Sequence, residues 1–121
     1  MRDRPEVGRR GEALAVDHLQ RKGYRIIERN VRTRLGEIDI VARDGDCYVF
    51  VEVRARTSND WTPEESVTLQ KQRRIGRLGQ QYLQDHHESE MDWRGDVVAI
   101  ELTRDGTIVR IEHIINAIEE Q

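Results

Sequence analysis

Asp39 and Glu52 are the residues of this sequence whose types and spacing offer the most chemistry. They lie in two runs that read as adjacent β-strands, Glu37 to Arg43 and Cys47 to Arg56, joined by the turn signal Asp44-Gly45-Asp46. Alternation puts Glu37, Asp39 and Val41 on one face of the first strand and Ile38, Ile40 and Ala42 on the other. On the second strand Cys47, Val49, Val51 and Val53 share a face, with Tyr48, Phe50, Glu52 and Arg54 opposite. A four-residue loop sets Asp39 directly across from Glu52, and such cross-strand neighbours have Cβ atoms about 4.5–5.5 Å apart. Two facing carboxylates repel. A hard cation, Mg²⁺ or Mn²⁺, relieves the repulsion, needs only one or two protein carboxylates and keeps waters able to attack a phosphodiester. Salt bridges to Arg54, Arg32 or Arg34 would satisfy the same acids without any metal, and spacing alone leaves both readings open. The triplet Glu52-Val53-Arg54 favours the first, because a cation two residues after the acid shares its face and can stabilise charge developing on a phosphate.

Several elements must hold these groups. Residues 6 to 22 read as a helix, with Val7, Gly11, Leu14, Ala15 and Leu19 at helical spacing and Gly23 as the C-terminal stop. Glu12 falls within about 40° of Gly8, Val16 and Leu19, on the apolar side, where a carboxylate needs a partner or a metal. It is the candidate third ligand. Tyr24 to Val31 reads as the first strand, leading through Thr33-Arg34-Leu35-Gly36 into the Asp39 strand. After a polar loop from Thr57 to Trp61, Thr62-Pro63-Glu64-Glu65 has capping-box form, predicting one long helix to about His86. Lys71, Ile75, Leu78 and Tyr82 share its inward stripe, with Arg73, Arg74 and Arg77 beside it. Val97 to Leu102 and Thr107 to Ile115 make a last hairpin around Arg104-Asp105-Gly106, and Asn116 to Gln121 a terminal helical turn. The order predicts an α/β fold with a mixed sheet of about five strands flanked by helices, including a parallel crossover through the long helix.

Composition narrows the function. A chain of 121 residues suits a single domain. The longest apolar run, Cys47 to Val51, is far short of the roughly 20 residues that span a bilayer, so no membrane is expected. The charged N-terminus lacks the apolar core of a signal sequence and points to the cytoplasm. Cys47 is the only cysteine, which excludes an intrachain disulfide and a cysteine zinc cluster. Residues 1 to 77 hold 17 Lys/Arg against 13 Asp/Glu, whereas residues 78 to 121 hold 3 against 10. A polyanion should therefore meet the first part, where Arg9, Arg10, Arg32, Arg34, Arg56, Arg73 and Arg74 are the candidate nucleic-acid contacts.

The motifs Gly8-Arg9-Arg10-Gly11-Glu12, Gly23-Tyr24, Arg29-Asn30, Gly36-Glu37-Ile38-Asp39-Ile40-Val41 and Val49-Phe50-Val51-Glu52-Val53-Arg54 resemble those of the YraN family. The likeness continues through Lys71-Gln72-Arg73-Arg74-Ile75 and Asp96-Val97-Val98. It implies a restriction-endonuclease-like fold distantly similar to Holliday junction resolvases, with Asp39 and Glu52 as the acids of a PD-(D/E)XK-type site and Glu12 as the helical acid. Its catalytic set would be Asp39, Glu52, Arg54 and Lys71. Arg54 stands where the usual residue is Lys and cannot deprotonate to act as a base. Lys71 would supply the missing amine.

Glu37 reads as a strand-end salt bridge. His86 and His87 are adjacent and make a poor metal pair, His18 and His113 are isolated, and Trp61 and Trp93 sit in polar connections. No phosphate-binding glycine loop, nucleophilic Ser or Cys arrangement, or zinc motif appears. Three readings follow in order: a metal-dependent nuclease acting on DNA, with branched or flapped structures among its candidate substrates and a homodimer as a candidate assembly; a non-cleaving nucleic-acid-binding module; and a protein-interaction domain with structural carboxylates.

Overall fold

In the computed structural model, which describes residues 4–57 and 68–117, the elements run α1 (Arg4–Arg21), β1 (Arg25–Thr33), β2 (Gly36–Asp44), β3 (Cys47–Arg56), α2 (Leu69–Asp85), β4 (Trp93–Leu102) and β5 (Ile108–Ile114). Helix α1 stops as its glycine predicts. Gly23 adopts a left-handed φ of +94°, its N–H donates to the Gln20 carbonyl, and the Tyr24 N–H reaches back to Leu19 at 3.0 Å.

The five strands form one mixed sheet in sequence order, with every neighbouring pair antiparallel except β3 and β4. Helix α2 lies within the connection between those two parallel strands, the crossover that the element order predicts. β3 is the buried spine. Val49 and Val51 join Leu19, Ile40, Val98 and Ile100 beneath α1, while Tyr48 and Phe50 join Val41, Leu78, Tyr82 and Leu83 beneath α2. Burial of each such large apolar side chain stabilises the fold by about 1.5–3 kcal/mol. Both helices cross this strand closely: a Cβ on Gly79 would stand 2.5 Å from the Phe50 ring, and one on Gly11 would collide with the Ala55 Cβ. These contacts fix the helix bearing Glu12 on one side of the sheet and the helix bearing Arg74 on the other.

Two expectations need correction. The helix read as continuous from Pro63 does not continue through Thr68, whose backbone is extended (φ −86°, ψ 154°) and whose hydroxyl caps α2 by accepting the Lys71 N–H at 3.2 Å. A Thr hydroxyl that satisfies an orphan N–H starts a new helix rather than continuing one. The Thr62–Glu65 capping box lies outside the described residues, as do Trp61 and the last residues of the expected C-terminal turn. The alternation expected of β2 also breaks. Ile40 and Ala42 pack under α1 and Val41 under α2, but Ile38 joins the α2 cluster instead of sharing the Ile40 side. The change falls where the β2–β3 ladder has ended and beside the left-handed Asn30 (φ 53°), which lies between the β1–β2 pairs Arg29–Ile40 and Val31–Ile38. Among the described residues no helix is long and apolar enough to cross a membrane.

Candidate functional site

The β2–β3 ladder pairs Asp44 with Cys47 and continues to Ile40 opposite Val51. Asp39 and Glu52 are the next residues on each strand, beyond the last paired residues, and both line one cavity. There the Val53 N–H is met by Asp39 Oδ2 at 2.8 Å, so a side-chain carboxylate takes over where the paired ladder ends. The strands open onto a cavity of about 370 Å³ lined by Glu37, Asp39, Glu52, Arg54 and Arg74 over an apolar floor of Ile38, Val51, Ile75 and Leu78.

Neither acid is comfortably solvated. Burial pushes the Asp39 carboxyl up from 3.8 to about 6; the Val53 hydrogen bond opposes this, and the negative charges of Glu52, Glu12 and Glu37 add to it. Glu52 is only 8% exposed. Its Oε1 accepts from Arg74 Nη2 at 3.0 Å, while Oε2 is buried with no hydrogen-bond partner. Leaving one buried acceptor unmet costs about 1–3 kcal/mol, and more where the group is charged. The remaining oxygen suits a cation.

Other candidate residues are distributed around this pocket rather than gathered in it. Arg54 lines it. Lys71 does not, although its amine, lowered by burial first and then by the charge of Arg54, also feels Glu52, Arg56 and Arg74. Glu12 is absent from the lining: its Oε1 accepts from Arg29 Nε at 3.0 Å and Asn30 Nδ2 at 2.9 Å, which pins α1 to the irregular stretch of β1. Among the described residues no three of His, Cys, Asp and Glu gather closely enough to hold a metal. Two carboxylates are what remains, a number that Mg²⁺ accepts when water fills the other positions. Arg10 donates to the Gly106 carbonyl at 2.7 Å and so ties α1 to the β4–β5 turn, while Arg9 is exposed on the same helix. Arg32 and Arg34 line a neighbouring depression, with Arg32 also 3.7 Å from Glu37 as the strand-end pairing predicts. Arg56 and Arg73 are exposed.

The sequence reading missed a second buried acid. Asp96 is fully buried, and its Oδ1 accepts from Arg94 Nε at 3.1 Å and the Asn116 N–H at 2.9 Å, while Oδ2 lies 2.7 Å from His113 Nε2. Arg94 also donates to Asp44 at 3.2 Å and Tyr24 Oη at 2.5 Å; Lys22 Nζ is 2.9 Å from His113 Nδ1. His113 is therefore not isolated. With Lys22 donating to Nδ1, the ring proton sits on Nε2 and points at Asp96. The overlooked signal is parity: Asp96 shares the face of Val98, Ile100 and Leu102, all buried under α1. Trp93, read as part of a connection, opens β4 and packs 6.1 Å from the Phe50 ring.

Residues 11–100 match the model of a family described as "Uncharacterised protein family UPF0102". Relatives bearing the name UPF0102 protein include one from Pelotomaculum thermopropionicum, 45% identical over 92% of this chain and 93% of its own length. Another, from Alkaliphilus oremlandii, is 47% identical over 93% of this chain and 97% of its own length. A third, from Chlorobium chlorochromatii, is 50% identical over 78% and 74% respectively.

Proposed function

We propose that this chain, which belongs to the uncharacterised protein family UPF0102, is a metal-dependent nucleic-acid-binding protein of the PD-(D/E)XK type that cleaves phosphodiester bonds in DNA. The YraN resemblance is the same family under another name. The observation that carries the reading is the buried, unpartnered Glu52 Oε2 beside Asp39, in a cavity that also holds Arg54 and Arg74. Asp39 and Glu52 would hold Mg²⁺ or Mn²⁺. The cation supplies Lewis-acid polarisation of the phosphodiester. Arg54 offers the guanidinium that would stabilise charge developing on the phosphate, and Lys71, outside the cavity lining, would supply the amine that an arginine in the usual lysine position lacks. Glu12 acts from outside the pocket, anchoring β1 through Arg29 and Asn30 and adding negative charge near Asp39. Arg32, Arg34, Arg56 and Arg73 would track the nucleic-acid backbone on either side. Branched or flapped DNA in the cytoplasm is the substrate class this reading favours, and a homodimer would match a two-fold junction.

A second reading, a binding module without turnover, is favoured by Arg54 alone, since an arginine in the place of the usual lysine cannot serve as a base. Single-turnover assays over duplex, single-stranded, flap and four-way DNA, with Mg²⁺, Mn²⁺ or EDTA, separate the two. Metal-dependent cleavage should vanish in Asp39→Asn and fall at least about 10²-fold in Arg54→Ala and in Lys71→Ala, with folding unchanged. Cleavage that survives EDTA or Asp39→Asn marks a contaminant and removes the enzymatic claim; metal-stabilised binding without turnover leaves the module.

A further inference from the structure

The Arg74–Glu52 pair is asymmetric in a way that a purely structural salt bridge does not require. The Glu52 side chain is 10% exposed and fixed on the central strand, whereas the Arg74 side chain is 49% exposed at the start of α2. Arg74 can leave without opening the core. Glu52 cannot, and once bare it would be a buried carboxylate with neither oxygen satisfied. A cation is a replacement that keeps its charge balanced. The released Arg74 would not lack an anion, because it lines the same cavity as Arg54 and its planar fork suits a phosphate.

Given the reading above, in which Asp39 and Glu52 hold the cation, we infer that Arg74 is a displaceable counter-ion that couples metal loading to nucleic-acid binding. It holds Glu52 while the cation is absent, yields the carboxylate when the cation loads, and then engages a nucleic-acid phosphate at the cavity mouth. A phosphate that draws Arg74 away equally frees Glu52 for the cation. By linkage, each ligand tightens the other by the same factor. Arg74 is in this sense a positioning residue.

The test is Mn²⁺ titration of the full chain, without and with a cleavage-resistant phosphorothioate oligonucleotide, for wild type, Arg74→Gln and Arg77→Gln. Arg77 is the control, since it is an exposed arginine three residues along α2 that does not line the cavity, and its loss removes the same charge. Wild type should bind Mn²⁺ about tenfold more tightly with the oligonucleotide present. Arg74→Gln should bind Mn²⁺ alone about tenfold more tightly than wild type, and the oligonucleotide should then add little. Arg77→Gln should keep both wild-type behaviours. If Arg74→Gln melts too low to titrate, a rise in melting temperature on adding Mn²⁺ larger than that of wild type reports the same exchange, and an equal or smaller rise overturns it. Equal Mn²⁺ affinity in wild type and Arg74→Gln overturns the exchange while leaving the metal site standing, as does equal tightening in Arg77→Gln. Absence of Mn²⁺ binding in all three folded proteins overturns the metal site itself, and the coupling with it.

Discussion

The sheet holds two acidic centres, one at Asp96 and one at Asp39 and Glu52, that the chain treats in opposite ways. Asp96, toward the β5 side, meets a guanidinium, an imidazole and a backbone N–H. Burial pushes its carboxyl up, but the hydrogen bonds from His113 and Asn116 and the charge of Arg94 outweigh this and hold it below the ordinary value. Asp39, at the open end of the β2–β3 ladder, has one backbone hydrogen bond, three acids nearby and a pKa raised to about 6. Its neighbour Glu52 leaves an oxygen unmet. A fold able to satisfy one buried carboxylate on every side has left the other pair under-satisfied. The contrast separates a carboxylate satisfied within the fold from the pair to which the proposed cation is assigned.

Substitution at the two acids should therefore differ most in stability. Asp96→Ala strands Arg94 and His113 and should cost about 3–5 kcal/mol in urea unfolding. Asp39→Asn should leave metal-free stability equal or slightly higher and remove stabilisation by Mn²⁺. An Asp96→Ala protein as stable as Asp39→Asn would erase the contrast.

The pH dependence should run in opposite directions as well. The folded value of Asp39, about 6, lies above its reference of 3.8, so its contribution is complete below pH 3.8 and is lost as pH rises through about 6. Asp96, depressed in the fold, contributes above 3.8 and loses that contribution as pH falls through its folded value. In EDTA, Asp39→Asn should gain stability relative to wild type as pH rises from 4 to 7. Melting curves across pH 3 to 8 check this, and parallel curves for the two proteins would refute the raised value.

The smallest effect concerns the cations around the pocket. Arg34→Ala or Arg73→Ala should each flatten the salt dependence of DNA binding by about one unit of slope, with little regard to base sequence. Binding indifferent to salt would instead favour a protein partner.

Part of the Asp39 site was legible in the sequence because a short turn is local: two residues an equal distance from one hairpin turn stay close, and Asp39 and Glu52 line the same cavity although the paired ladder has ended. Strand parity marked Asp96 as inward-facing, yet two of its partners, His113 and Asn116, reach it from β5 and the turn after it, and no spacing rule joins them to it. Arg74 was legible only as part of a basic stripe on α2, since its pairing with Glu52 depends on how closely that helix crosses β3.

Residue types and spacing alone determined the succession of elements, the nearness of the two acids, the parallel crossover and the charge asymmetry, because each depends on the period of a strand or helix, on chain connectivity or on simple counting. Tertiary structure decided the rest. It turned Glu12 toward Arg29 and Asn30 instead of into the cavity, and carried Ile38 across the sheet where β1 is irregular. It satisfied Asp96 while leaving Glu52 half met. Those outcomes depend on which distant groups arrive within about 3 Å of one another, and hydrogen bonds and ion pairs decay too steeply with distance to be read from order along the chain.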